Sequence, residues 1–401
     1  MAQFKQALIQ KRKRVQELAQ QGCTTGQIAK KLLVSLPFVR KWLHTSDVSQ
    51  DGRGWAKGMK RSRTAEEEAR ILTIREALIT QKAFYRGSVA IQQVYEQQVP
   101  GAPVPPTWFI ERVLRAHGVV QRYQPHPRRG GAQRRHYPAR SVRALGPIVE
   151  EIDFIGPRFI QGTGDPFYLL SRRYTQPQPW ARLDRILSQG LTELLPWLVA
   201  DWQTRAPKPD VLTVDDFLTF TASGRPRGLS RFTVFLLNCC TTPVLLPPNS
   251  PWSHASVESA NSQFAKKLWE VETFASEEAL DARLTQFNAA NLAYRRVAWT
   301  GLPPFAWLEA DFTWDDSWLT TLKTLHAPAL YLVRKVDEHQ HRVAVHILKE
   351  WIPVPPAYLG LFLLARVDLV KQRLFLFFEQ DDGQLLLVHE QPYVTLLPDP
   401  K

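Results

Sequence analysis

A chain of 401 residues is long enough for several domains and a sizeable buried core, and its 44% apolar and 22% charged residues are those of a globular protein rather than a disordered one. The 51 Lys and Arg against 38 Asp and Glu leave a formal charge of +13, which favours a polyanionic partner. Cys23, Cys239 and Cys240 lack the number and spacing for a disulfide framework or a zinc site, no stretch approaches the ~18 apolar residues of a membrane span, and a reducing cytoplasm with no membrane partner is the expected setting.

The opening segment, Phe4 to about Gln20, has a helical pattern and the basic cluster Lys11-Arg12-Lys13-Arg14. After Gly22, Thr24 or Thr25 offers an N-cap for a second helix, and Ser35 offers one for a third beginning Leu36-Pro37. Pro37 falls in a first turn, where a missing N–H costs nothing. Two short helices joined at Leu33-Val34 predict a helix-turn-helix over residues 1–46, with Arg40, Lys41 and His44 turned to DNA. A polar linker comes next, and a second helix-turn-helix or winged-helix unit is predicted over 64–122. Its helices are Ala65–Thr80, one starting at Gly87-Ser88, and Trp108–His117, stopped by Gly118.

Between Arg112 and Gly146 stand nine arginines and no acid. Residues 123–146 predict an extended basic linker, since such a composition cannot bury a core. Arg128, Arg129, Arg134 and Arg135 in it suit tracking along phosphates.

From Val149 the periodicity changes to that of strands around Ile152-Asp153-Phe154-Ile155, Phe167-Tyr168-Leu169-Leu170 and Trp180–Leu183. A helix over Ile186–Thr204 comes after them, then a buried strand Val211–Asp215, a helix Phe232–Cys239, a strand Pro243–Leu246, and a helix from Ser253 through Trp269. Three early strands followed by alternating helices and strands is the order of an RNase H-like fold over 147–310. Asp153 lies mid-strand, Asp215 ends the next buried strand, and Glu258 sits beside the apolar stripe Val257, Ala260, Phe264 and Leu268. Any one of these acids alone reads as an ordinary strand-end or helix-start carboxylate; the three in this order do not. Asp165 reads as a turn residue and Asp184 as the partner of Arg182 or Arg185. From about Ala327 five short strands predict a small SH3-like barrel over 326–397, with Asp382-Gly383 as a hairpin turn.

The runs Glu151-Ile152-Asp153-Phe154-Ile155-Gly156-Pro157, Val214-Asp215-Asp216-Phe217 and Asn249-Ser250-Pro251-Trp252-Ser253-His254-Ala255-Ser256-Val257-Glu258 are similar to the three acid motifs of insertion-sequence transposases. Nearly the whole chain resembles that DDE group, whose core is like that of retroviral integrases. The departures are Asp216 and His254-Ala255, where the family usually has Asn and Asn-Gly.

The resemblance implies a multidomain α+β protein: helix-turn-helix units, an RNase H-like core and a terminal β-barrel. It implies that Asp153, Asp215 and Glu258 hold two Mg²⁺ (or Mn²⁺) ions and cleave and join DNA. The implied partners are double-stranded DNA, as terminal inverted repeats and target, and further copies of the chain once on DNA. A prokaryotic, nucleoid-associated setting goes with them. Two rival readings stand beside this one: a transposase-derived DNA-binding protein with lapsed catalysis, acting as repressor or targeting factor, and an RNase H-like nuclease without strand transfer.

Overall fold

The computed structural model describes residues 2–45, 64–120, 137–160, 164–215, 220, 224–248, 250–295, 314–323 and 328–399. The chain divides into two compact units, residues 1–70 and 71–401. Among the described residues no helix is long and apolar enough to cross a membrane.

The first unit holds α1 (Ala2–Gln20), α2 (Thr25–Leu32) and α3 (Leu36–Leu43). Thr24 caps α2 in a reciprocal box with Gln27, and Leu33 turns the chain in the left-handed region before Ser35 opens α3. Val15, Leu18, Ile28, Val39 and Trp42 form the core. The buried Arg12 guanidinium lies 4.0 Å from the Trp42 ring centroid.

The second unit begins within α4 (Ala65–Thr80), whose start is boxed by Thr64 and Glu67, and continues through α5 (Ser88–Gln98) and α6 (Thr107–Ala116). These helices do not form a core of their own. Ile71, Ile91, Phe109 and Val113 share one apolar cluster with Leu169, Leu183, Phe264 and Phe287. Phe84 meets Phe287 edge to face at 5.2 Å.

The core sheet runs β1 (Val149–Arg158), β2 (Phe167–Gln176), β3 (Trp180–Ile186), β4 (Val211–Val214) and β5 (Thr242–Leu245), in spatial order 3-2-1-4-5. The first three pair antiparallel, whereas β1–β4 and β4–β5 pair parallel. The parallel crossovers run through α8 (Leu191–Thr204) and a segment that includes α9 (Arg231–Asn238). Residue alternation sends Ile152, Leu212 and Val214 against Leu194, Leu198 and Phe232. Glu151, Asp153 and Thr213 go to the opposite face. α10 (Ala255–Phe264), entered by a 3₁₀ turn Pro251–His254, packs there over β1 and β2, and α11 (Glu277–Arg295) packs against β3.

The tail departs from its expected form. The five expected strands are present as β6 (Ala329–His339), β7 (Arg342–Ile347), β9 (Phe362–Asp368), β10 (Arg373–Glu379) and β11 (Leu385–Pro392), with β8 (Glu350–Pro353) in addition. They do not make a separate barrel. β6 pairs in parallel with β5, so β6-β9-β10-β11 prolong the core sheet, while β7 and β8 branch from β6. Among the described residues no pair joins β8 to β11 to close a barrel. At the seam, buried Arg334 on β6 donates to the carbonyls of Leu245 and Leu246 at 3.1 and 2.5 Å and ties the two segments together. The Asp382-Gly383 turn links β10 to β11, with Gly383 at φ +89°.

The basic linker also departs where it is described. Residues 139–143 are not extended but form α7, with Val142 buried beside Val149 and Phe362. Glu379 accepts from the Ser141 amide and hydroxyl at 2.7 and 2.5 Å, and Arg140 donates to the Asp381 carbonyl. Tyr137, Val142 and Leu145 supply the apolar surface that the arginines upstream lack. Arg128, Arg129, Arg134 and Arg135 lie outside the described residues.

Candidate active site

On β1, Glu151 and Asp153 are two residues apart and therefore share a face. Parallel pairing sets Glu151 opposite Thr213, which leaves Asp215 immediately beyond the end of β4 and level with Asp153. The amide of Leu246 donates to the Val214 carbonyl at 2.8 Å and fixes that strand end. Glu258 is exposed in the first turn of α10, while Val257, Ala260 and Phe264 of the same helix are buried. Asp215 is half-buried, and Asp216 lies outside the described residues.

The three expected acids are neighbours in charge. Burial pushes the Asp153 carboxyl up to about 6, with the Asp215 carboxylate adding to the rise and Glu258 contributing least. Two hydrogen bonds pull the other way: the Phe154 amide donates to Asp153 Oδ1 at 2.8 Å, and Asn261 Nδ2 donates to Oδ2 at 2.9 Å. Glu258 is raised by partial burial. Hard carboxylate oxygens that repel one another fit a divalent cation in type and charge. Their spacing is wider than a filled shell: among the described residues, no three His, Cys, Asp or Glu side chains gather closely enough to hold a metal ion as they stand.

Asn261 is a site residue that sequence reasoning misses. It stands three residues after Glu258, so the same helix carries an acid and the amide that orients another acid. The one signal for it is a neutral polar residue one turn past the glutamate. Asn261→Ala should move the titration of Asp153 to higher pH, because the lost bond favours the ionised carboxylate. An unmoved titration, read by carboxyl NMR, would show that this bond does not act on Asp153.

His254 does not join the acids. It is 5% exposed, bonded to the Thr213 backbone, and burial lowers it to about 4, so it is neutral near pH 7. Asp184 pairs with Arg182 at 2.7 Å, as its sequence context predicts. Arg40 and Lys41 are exposed on α3 and His44 just past its end, with the Lys41 ammonium 4.9 Å from the Trp42 ring centroid.

Beneath Asp153, Glu151 accepts from the Val257 amide at 3.1 Å, and burial raises it to about 7. On the opposite face, Arg172 bonds Glu150 and Asp201 with all three fully buried, and donates to Tyr174 at 2.8 Å. Asp201 takes Arg182 and Arg205 as well, at 2.9 and 2.8 Å.

No protein-family model and no curated protein matches this sequence. Solved structures similar to it include three of Mos1. The Mos1 strand transfer complex is 14% identical, covering 72% of this chain and 92% of that one at a TM-score of 0.26. A pre-cleavage Mos1 transpososome is 13% identical, with the same coverage and TM-score. The mariner Mos1 paired end complex with Mg is 12% identical, covering 71% and 91% at 0.21.

Proposed function

We propose that this chain is a DNA transposase of the DDE group that cleaves the 3′ ends of its element and joins them to target DNA. The observation that supports this reading best is positional: in a sheet of order 3-2-1-4-5 the parallel register of β1 and β4 sets Asp215 level with Asp153, and Asn261 ties Asp153 to the helix that carries Glu258. In this reading Asp153, Asp215 and Glu258 would hold two Mg²⁺ or Mn²⁺ ions, which would supply activation of an oxygen nucleophile and charge stabilisation of the leaving oxygen. The protein's own part is positional. β1 and β4 deliver two carboxylates level with one another, Asn261 orients Asp153, and α10 brings Glu258 from the side. Arg40, Lys41 and His44 read the terminal repeat, and Arg128, Arg129, Arg134 and Arg135 neutralise phosphates. The working form on DNA holds more than one copy.

The second reading, a DNA-binding protein with lapsed catalysis, is favoured by one observation, the burial of neutral His254 where related transposases carry Asn. The test is incubation of the chain, Mg²⁺ and DNA from the flanks of its gene, followed by sequencing of new 3′ ends and joined products. Wild type and Asp216→Asn should give both products and Asp215→Asn neither. Binding without products would favour the lapsed form. An active Asp215→Asn beside an inactive Asp216→Asn would exchange the two aspartates.

A further inference from the structure

Next to the acids lies a cavity of about 270 Å³, on the same face of the sheet. It is smaller than the about 300–1,000 Å³ of drug-sized pockets, so it suits one ring system. Its lining repeats the acid motifs two residues earlier: Glu151 precedes Asp153, Thr213 precedes Asp215 and Ser256 precedes Glu258. Two residues of strand span about 7 Å. A group in the cavity therefore lies within one nucleotide's reach of the carboxylates.

The walls are aromatic and fixed. Tyr137 and Trp252 meet edge to face at 5.3 Å, and Phe362 braces both rings, at 6.0 Å from Tyr137 and 5.2 Å from Trp252. Glu151 uses one oxygen on the Val257 amide, and its other oxygen takes no hydrogen bond from the described residues. Arg143 is exposed at the rim. A flat apolar wall, one acceptor and a guanidinium at the mouth match a base, its donor edge and its phosphate.

We propose that this cavity takes a single unstacked nucleobase from the strand end presented to the acids, with a base amino group donating to Glu151 and the adjoining phosphate held by Arg143. The assignment to a strand end rests on the transposase reading; the cavity's preference for a nucleobase does not. Glu151 as an acceptor ranks guanine, with adjacent N–H donors, above adenine and cytosine, and thymine last.

The test is saturation-transfer NMR of the full chain with millimolar dGMP or dTMP, without metal and again with Mg²⁺. Saturation should be strongest on the guanine ring proton and weaker on dTMP. Ser256→Trp, which fills the cavity, should abolish it, and the near-isosteric Glu151→Gln should weaken dGMP about tenfold. Circular dichroism establishes that both variants are folded; if Ser256→Trp is not, Glu151→Gln alone decides. No saturation of either nucleotide, equal saturation in the variants, or saturation seen only with Mg²⁺ and lost in Asp153→Asn would overturn the proposal. The last of these would make the cavity a part of the metal site. Cleavage assayed on the same preparation separates the two claims, since dGMP binding with no cleavage would keep the cavity and remove the transposase reading.

Discussion

Asp153→Asn should destroy metal-dependent cleavage and at the same time make the protein more stable without metal. Burial, Asp215 and Glu258 raise this carboxyl from 3.8 to about 6. The folded chain therefore holds the proton more tightly than the unfolded chain does. That contribution to stability is complete below about pH 4 and is lost as pH rises through about 6. At pH 7.5 the ionised side chain costs up to about 3 kcal/mol, at roughly 1.4 kcal/mol per pKa unit. Asparagine keeps the shape and an oxygen to accept the Phe154 amide, but carries no charge. The variant should melt several degrees higher in chelator, and divalent cation should stabilise wild type only. If the carboxylate carries several kcal/mol of transition-state stabilisation, the rate falls on the order of 10³-fold or more. Thermal melts in chelator and in Mg²⁺, alongside a cleavage assay, check both halves. A variant less stable than wild type in chelator would mean that Asp153 is a structural group.

Arg172→Met is the substitution expected to damage the fold most. Arg172, Glu150 and Asp201 are all within 1% of complete burial. Asp201 would retain Arg182 and Arg205, but Glu150 would be left as a buried carboxylate with no cation. Removing one partner of a buried pair costs about 3–5 kcal/mol, whereas replacing the pair by apolar residues is often neutral. The double variant Arg172→Met with Glu150→Met should accordingly recover more than half of the loss, measured by urea unfolding. A single variant within about 0.5 kcal/mol of wild type would show that water, and not Arg172, satisfies Glu150.

This network also marks where the sequence stops being legible. The helices of residues 2–45 and 64–120 obey local rules, and Thr24, Ser35, Gly87 and Gly118 stand where caps and stops require. The core strands come from alternation, although Ile186 ends β3 instead of beginning a helix, and α8 starts at Leu191. Distant pairings are not local properties. Nothing in Leu330–Val336 says that it will bond to β5, and the prolines around Trp351-Ile352 hide β8. Val142 gives no warning that an arginine-rich stretch will turn helical. In the site, the charged residues at strand ends stand out, while Asn261 and Glu151 gain their meaning only from α10 lying across β1.

Mn²⁺ binding to the full chain, followed by electron paramagnetic resonance at pH 7.5 without DNA, decides whether the three acids form a metal site, because it reads the carboxylates themselves. Wild type should bind Mn²⁺, and each of Asp153→Asn, Asp215→Asn and Glu258→Gln should weaken binding about tenfold or more. Binding should also fade as pH falls below about 6, where Asp153 takes up its proton. Three variants that bind Mn²⁺ as wild type does would contradict that expectation, and the three acids would then be neighbours in the fold without being a metal site.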